Sequence, residues 1–331
     1  MKLVSYDSQG APDTRAGVLL GDVVLDVARL VAWAEPERAA AWPTTMLGLL
    51  RLEDAGMATL RAAVAAAASA QPGALATVPG LARPLAAVAL RAPVPDPPTL
   101  RDFYAFEQHV KAARARRNAG MIPEWYQIAV FYFSNTSELL GTDEPLIYPR
   151  ASQELDFELE MAAVIGRAGK DIPAEEAPAY IAGYMVMNDW SARDLQRAEM
   201  VMNLGPAKGK DFATSLGPWL VTPDELAERR IGSGKDERYD LAMTGSINGD
   251  ALTHANAREM YFSFPQLIER AAQHVRLRPG DVIGSGTCGT GCILELGTER
   301  HRWLQPGDDV RMSIAGLGEL RTRIIGDAKG G

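Results

Sequence analysis

The feature that most constrains this 331-residue chain is the octapeptide Glu154-Leu-Asp-Phe-Glu-Leu-Glu-Met161. Its period-two alternation predicts a strand with Leu155, Phe157, Leu159 and Met161 on one buried face and Asp156, Glu158 and Glu160 on the other. Same-face neighbours on a strand lie about 7 Å apart. Three anions in such a row repel unless they are protonated, solvated or gathered around a cation, and oxygen-only ligands select a hard ion such as Mg²⁺, Ca²⁺ or Mn²⁺. The competing reading is an acidic strand face open to water, so the rest of the chain decides.

A hydrophobic content of 47% suits one large core or two domains. The net charge is −8, and the densest basic cluster, Arg114, Arg116 and Arg117, is short, which argues against a nucleic-acid partner. Cys288 and Cys292 are too few for a disulfide framework and lack the spacing of a zinc site. They read as reduced thiols of a cytoplasmic protein, packed or near the site. The N-terminus turns polar at once, unlike a signal peptide, and the alanine-rich run from Ala62 to Ala70 is too short to span a bilayer, so no membrane partner is expected.

Along the chain, Lys2 to Tyr6 and Gly17 to Ala28 predict short strands, with a hairpin at Gly21-Asp22. Residues 35–70 favour helix, broken at Pro43 and Gly56. Prolines and glycines from Pro72-Gly73 to Pro84, then Pro93, Pro95, Pro97 and Pro98, mark a boundary between a small α+β N-terminal domain, 1–95, and a larger domain, 96–331. Beyond it, Asp102 opens a helix-compatible run. Seven residues are nearly two helical turns, so Asp102 and His109 would share a face, unless Asp102 is an N-cap and His109 an ordinary helix residue. The irregular 121–150 segment reads as a lid. A helix over 174–183 and an apolar strand, Tyr184 to Met187, then deliver Asn188-Asp189, with Asp189 either capping a helix or facing a site. Lys208-Gly-Lys-Asp211 lacks the spacing of a phosphate-binding loop. Asn248-Gly249 predicts a hairpin and 260–272 a helix. Glycines from Gly284 to Gly291 allow backbone N–H groups to approach an anion or a carbonyl oxygen, and are as common where a sheet turns a corner. Glu295 lies within the apolar run Cys292 to Leu296, where a carboxylate requires a partner, most naturally a histidine.

Taken in order, Asp102, Tyr104, His109, Glu158, Glu160, Asp189, Arg193, Gln196, Lys210, Thr287 and Glu295 resemble the pattern of the fumarylacetoacetate hydrolase family. The most specific pieces are Leu155-Asp-Phe-Glu-Leu-Glu-Met161 and Met187-Asn-Asp-Trp-Ser-Ala-Arg-Asp-Leu-Gln196, and the likeness runs from about Leu100 to the C-terminus. The resemblance implies a β-rich α+β fold with a mixed β-roll catalytic domain, and a homodimer. It also implies that Asp102, Glu158, Glu160 and Asp189 hold Mg²⁺ or Ca²⁺, with Mn²⁺ a further candidate. His109 would be the general base, oriented by Glu295, while Lys210, Tyr104, Tyr132, Arg193, Gln196 and Thr287 hold substrate oxygens. The family's lid arginine has no fixed counterpart among Arg114, Arg116 and Arg117, which leaves the acyl end of the substrate open. The activity implied is metal-dependent hydrolysis of a carbon–carbon bond in a 1,3-diketo acid of the fumarylacetoacetate or acylpyruvate type. The alternatives are a decarboxylase, isomerase or hydratase working through a metal-stabilised enolate, and a non-catalytic metabolite-binding protein.

Overall fold

Two turns whose residues tolerate positive φ set the local topology of the sheets. In the computed structural model, which describes residues 1–8, 13–71, 73–116 and 118–327, Gly21 (φ +57°) joins Thr14–Leu20 to Val23–Asp26 with Leu20 opposite Val23. Asn248 (φ +54°) and Gly249 (φ +91°) join Ala242–Ile247 to Asp250–Asn256 with Ile247 opposite Asp250. Both are the hairpins that the sequence predicts.

Among the described residues the main sheet has twelve strands. Its central path runs Ala82–Pro84, Val23–Asp26, Thr14–Leu20, Lys2–Ser8, Thr214–Val221, Ile181–Asp189, Leu159–Ile165, Val282–Gly284, Leu100–Phe103, Phe131–Ser134. Most pairs are antiparallel, but Val282–Gly284 runs parallel to Leu100–Phe103, so the sheet is mixed. A second sheet of five strands is built from Asp250–Asn256, Ala242–Ile247, Asp309–Ile314, Gly318–Ile325 and Leu146–Ile147. The helices are α1 (Val27–Ala34), α2 (Met46–Leu50), α3 (Glu53–Ala68), α4 (Glu107–Ala115), α5 (Arg193–Met200), α6 (Phe264–Ala272) and α7 (Ile293–Leu296). This is a β-rich α+β fold. No helix among the described residues is long and apolar enough to cross a membrane.

The Leu159–Ile165 strand is buried on both faces. Leu159, Met161, Ala163 and Ile165 join Met243, Met312 and Ile314 of the second sheet in one core, while Ala162 and Val164 join Leu3, Leu25, Leu30 and Leu60 in another. Strand alternation therefore welds the N-terminal segment to one face of the main sheet and the second sheet to the other. The prolines at 93–98 do not interrupt this: Leu3 pairs with Leu220 across the Lys2–Ser8 and Thr214–Val221 strands.

Several elements differ from the sequence expectation, each for a local reason. The acidic octapeptide is two strands: Leu155–Asp156 pairs with Ser191–Ala192, and a break at Phe157-Glu158 precedes Leu159–Ile165. The Asp156 carboxylate accepts from Phe157 N at 2.9 Å and the Asn188 side chain from Glu158 N at 2.9 Å, replacing ladder bonds there. Asp102 lies on a strand and not on a helix, and His109 belongs to the separate helix α4, whose N-cap is Phe106. The helix read over 174–183 is a 3₁₀ turn, Ala177–Tyr180, that gives way to strand at Ile181. Pro36–Ala41 is likewise 3₁₀, and Gly56 sits inside α3 because a side chain there would collide with Leu52. Helix α6 begins at Phe264, set by a Ser263–Gln266 capping box. Pro72 and Arg117 lie outside the described residues.

Candidate active site

Five neighbouring strands of the main sheet bring the acids together. Asp102 stands opposite Gly284 on one side and Tyr132 on the other, Ala162 is also opposite Gly284, and Glu160 is two residues before Ala162. Asp189 ends the adjoining strand. Gly284 leaves the room: a Cβ there would lie 2.5 Å from Asp102 Oδ1 and 3.2 Å from Glu160 Oε2. The loop beyond it turns through Gly286 (φ +79°), whose N–H donates to Asp102 Oδ1 at 3.2 Å and to Glu160 Oε2 at 2.9 Å. The glycine-rich run thus presents backbone N–H to anions, as read from the sequence.

Asp102, Glu160 and Asp189 are buried and each offers an oxygen within 4.8 Å of the others. Burial, then the charge of Asp189, pushes Asp102 well above the usual carboxylate range, and burial, then the charge of Asp102, does the same to Glu160. Burial raises Asp189 too, against the pull of Lys210. Glu160 Oε1 and Asp189 Oδ1 accept no hydrogen bond among the described residues. Buried, unpaired carboxylate oxygens are costly. An oxygen-only set of this kind fits a hard divalent cation.

The fourth expected carboxylate is placed differently. Glu158 Oε2 accepts from Lys210 Nζ at 2.5 Å and its Oε1 lies 2.7 Å from Arg193, so Lys210 and Arg193 hold it below its ordinary range despite burial. Lys210 also donates to Asp189 Oδ2 at 2.5 Å. Although burial opposes its charge, Asp189 and Glu158 outweigh that and keep Lys210 an ammonium. Lys208, two residues earlier, is solvated, whereas Lys210 is the buried member of that loop. Arg193, at the start of α5, donates to Asp156 Oδ2 at 2.8 Å and to Gln196 Oε1 at 3.1 Å. Because Asp156 shares Arg193, full ionisation of Asp102, Glu158, Glu160 and Asp189 would leave at least two negative charges that Lys210 and Arg193 do not balance.

His109 and Glu295, 186 positions apart, meet as the buried acid requires: Nδ1 lies 3.0 Å from Glu295 Oε2, while Thr290 N donates to Oε1 at 2.8 Å. In the neutral ring, a carboxylate acceptor at Nδ1 assigns the proton to that nitrogen and leaves Nε2 its lone pair. Tyr104 stacks edge-on against the imidazole at 5.5 Å. Tyr132 donates to Asp189 Oδ2 at 2.6 Å, and burial followed by the charge of Asp189 keeps its phenol protonated. Cys292 is 4.0 Å from His109 Nδ1, and burial holds its thiol well above its ordinary range. Cys288 is also free and buried.

All of this opens on one cavity of about 540 Å³. Asp102, Tyr104, His109, Tyr132, Glu158, Glu160, Arg193, Gln196, Lys210 and Thr287 line it; Asp189 and Glu295 stand just behind. Val110, Ala113, Ile122, Trp125, Ile128, Val130 and Leu294 supply an apolar flank. Arg114 reaches the cavity with its Nε bonded to Gly120 O, whereas Arg116 turns away to Leu296 O and Glu299. The sequence reading missed what Asp156 does: it accepts from Arg193, Phe157 N, Ile293 N and Leu294 N, and lies outside the cavity. Its place in the acidic alternation was the available signal.

The sequence model for the fumarylacetoacetate (FAA) hydrolase C-terminal region matches residues 99–325. The fumarylacetoacetase of Rattus norvegicus is 29% identical over 331 residues, covering 85% of this chain and 78% of that protein. The mitochondrial oxaloacetate tautomerase Fahd2a of the same organism is 34% identical over 199 residues, covering 59% of this chain and 58% of that protein. The chain spans 57% of the length of the Arabidopsis thaliana fumarylacetoacetase and 64% of that from Oryza sativa subsp. japonica. Among solved structures, maleylpyruvate hydrolase from Sphingobium sp. SYK-6, in complex with manganese(II) ion and pyruvate, superposes with a TM-score of 0.68 at 25% identity, covering 98% of this chain and 99% of that one. With the match extending across the strands, the glycine-rich turn and α7 that build the site, the chain belongs to the fumarylacetoacetate hydrolase family.

Proposed function

We propose that this protein is a divalent-metal-dependent hydrolase that cleaves a carbon–carbon bond in a 1,3-diketo acid of the fumarylacetoacetate or acylpyruvate type. The observation that carries the reading is that His109, bonded to Glu295, lines the same cavity as Asp102 and Glu160, two of the three clustered acids. Fumarylacetoacetases among the relatives, and a solved relative holding manganese(II) and pyruvate, support it.

Asp102, Glu160 and Asp189 would hold Mg²⁺, Ca²⁺ or Mn²⁺, which when bound supplies Lewis-acid polarisation of substrate oxygens. Glu158 and Asp189 hold Lys210 charged at the cavity wall, where it donates to an oxyanion developing on the attacked carbonyl. His109 Nε2 takes a proton from water as the water oxygen bonds to the acyl carbonyl carbon. Glu295 stabilises the imidazolium so formed. The carbon–carbon bond then breaks, its electron pair passing to the departing carbon, which leaves as an enolate conjugated with the second carbonyl. Protonation of that carbon by His109 returns the base and gives a carboxylic acid and a ketone or keto acid. Arg193, Gln196, Thr287, Tyr104 and Tyr132 orient the substrate's oxygens, and the apolar flank takes the acyl group.

The test is turnover of an acylpyruvate, followed by loss of its enol absorbance. Chelator-stripped protein is expected to be inactive and to recover with Mg²⁺ or Mn²⁺, and His109→Ala is expected to lower kcat by about 10²- to 10⁴-fold. The likeness to an oxaloacetate tautomerase favours one second reading, enolisation without attack by water. It predicts keto–enol exchange of oxaloacetate with no cleavage of any diketo acid.

A further inference from the structure

Asp156 is fully buried, is not part of the cavity wall, and satisfies its carboxylate entirely within the protein. Oδ2 accepts from Arg193 Nε at 2.8 Å and from Leu294 N at 2.9 Å, and Oδ1 accepts from Ile293 N at 2.7 Å. Ile293 and Leu294 are the first two residues of α7, a four-residue helix whose own N-cap, Cys292, makes no side-chain cap. That helix carries Glu295, and Arg116 ties down its other end through Leu296 O at 2.8 Å. One anion therefore fixes two parts of the site that no covalent neighbour connects: the guanidinium on the substrate side and the short helix that sets the base's partner.

We propose that Asp156 is a positioning residue that couples the placement of Arg193 to the placement of Glu295, so that the substrate contact and the orientation of His109 are set together. The inference rests on the reading of this cavity as a diketo-acid hydrolase site for its kinetic consequence, but its geometric consequence is independent of any substrate. Buried partners that orient a catalytic group typically cost about 10- to 100-fold in activity when removed, without themselves touching the reacting atoms. The Asn variant keeps the size of the side chain and removes the charge and one acceptor, so Arg193 and the α7 amides lose their common anchor. The Glu variant keeps the charge and shifts it by one methylene.

The experiment labels the four histidines with ¹⁵N and follows the hydrogen-bonded Nδ1–H of His109, identified by its loss in His109→Ala. In Asp156→Asn that signal is expected to move upfield or broaden with the far-ultraviolet circular dichroism unchanged, and Asp156→Glu is expected to restore part of it. In parallel, Asp156→Asn is expected to lower kcat on an acylpyruvate by about 10- to 100-fold and to raise KM through Arg193. The double variant Asp156→Asn/Glu295→Gln should have a kcat no lower than Glu295→Gln alone. An unchanged His109 signal, fully additive kinetic losses, or loss of the fold in both Asp156 variants overturns the proposal. Absence of diketo-acid turnover by the parent protein overturns the hydrolase reading instead, and the histidine signal then decides the role of Asp156 by itself.

Discussion

At the scale of single residues, the site is governed by the cost of burying carboxylates. Asp102, Glu160 and Asp189 hold their protons more tightly in the folded chain than an open carboxylate does, because burial disfavours their charge. Above the ordinary carboxylate value of about 4, the folded, cation-free protein thus binds more protons than the unfolded chain. Stability then falls as pH rises from that value through the raised ones. A divalent ion takes the place of those protons, so the rise in Tm on adding Mg²⁺ is expected to be larger at about pH 8 than at about pH 5.5. Thermal melts at the two pH values check this, and a rise independent of pH contradicts it. The grouping of Asp102, Glu160, Asp189 and His109 was reached through the family resemblance and not from periodicity, which set Asp102 on a helix; what the residues themselves made legible was that Glu295, inside an apolar run, needs a partner. Asp156 was legible as an acid but not as an anchor, since Arg193 and Ile293 are 37 and 137 positions away. Glu158, the fourth acid of the expected set, also accepts from Lys210 and lies against Arg193.

At the scale of elements, two glycines, one ending the Val282–Gly284 strand and one in the turn after it, separate site chemistry from folding. A Cβ on Gly284 meets Asp102 and Glu160 side-chain oxygens, so Gly284→Ala is expected to weaken divalent-ion affinity by about 10- to 100-fold with a small loss of stability. Gly286 has φ +79° and a Cβ there lies 2.5 Å from Phe103 O, so Gly286→Ala is expected to cost about 1–3 kcal/mol of stability. Equal stability losses in the two variants, measured by denaturant unfolding, contradict that division. Elements whose geometry is written in a residue's own backbone preference were readable, as at Gly21-Asp22 and Asn248-Gly249. Some elements decided by distant pairing were not. The 174–183 stretch has helix-compatible composition, yet Ile181 and Tyr184 pair with Ile165 and Ala163, and Asp102 reads as helical until Leu100–Phe103 is drawn between Val282–Gly284 and Phe131–Ser134.

At the scale of the whole molecule, the N-terminal segment supplies strands to the sheet that carries the acids and packs Leu3, Leu25 and Leu60 with Val164, Met185 and Val282. Leu3→Ala is expected to destabilise the protein by about 2–5 kcal/mol while leaving a single unfolding transition by both circular dichroism and tryptophan fluorescence; two separated transitions contradict a shared core. The proline-rich 93–98 stretch reports local stiffness, while the strands that pair across it, Lys2–Ser8 with Thr214–Val221, are set by residues far from it in sequence. The central claim, that this sheet gathers Asp102, Glu160 and Asp189 around a doubly charged ion, is tested most directly by calorimetric titration of Mn²⁺ into chelator-stripped protein. One ion bound per chain, with binding abolished in Glu160→Gln, is the result expected; no binding to the parent protein, or equal binding to the variant, would contradict it.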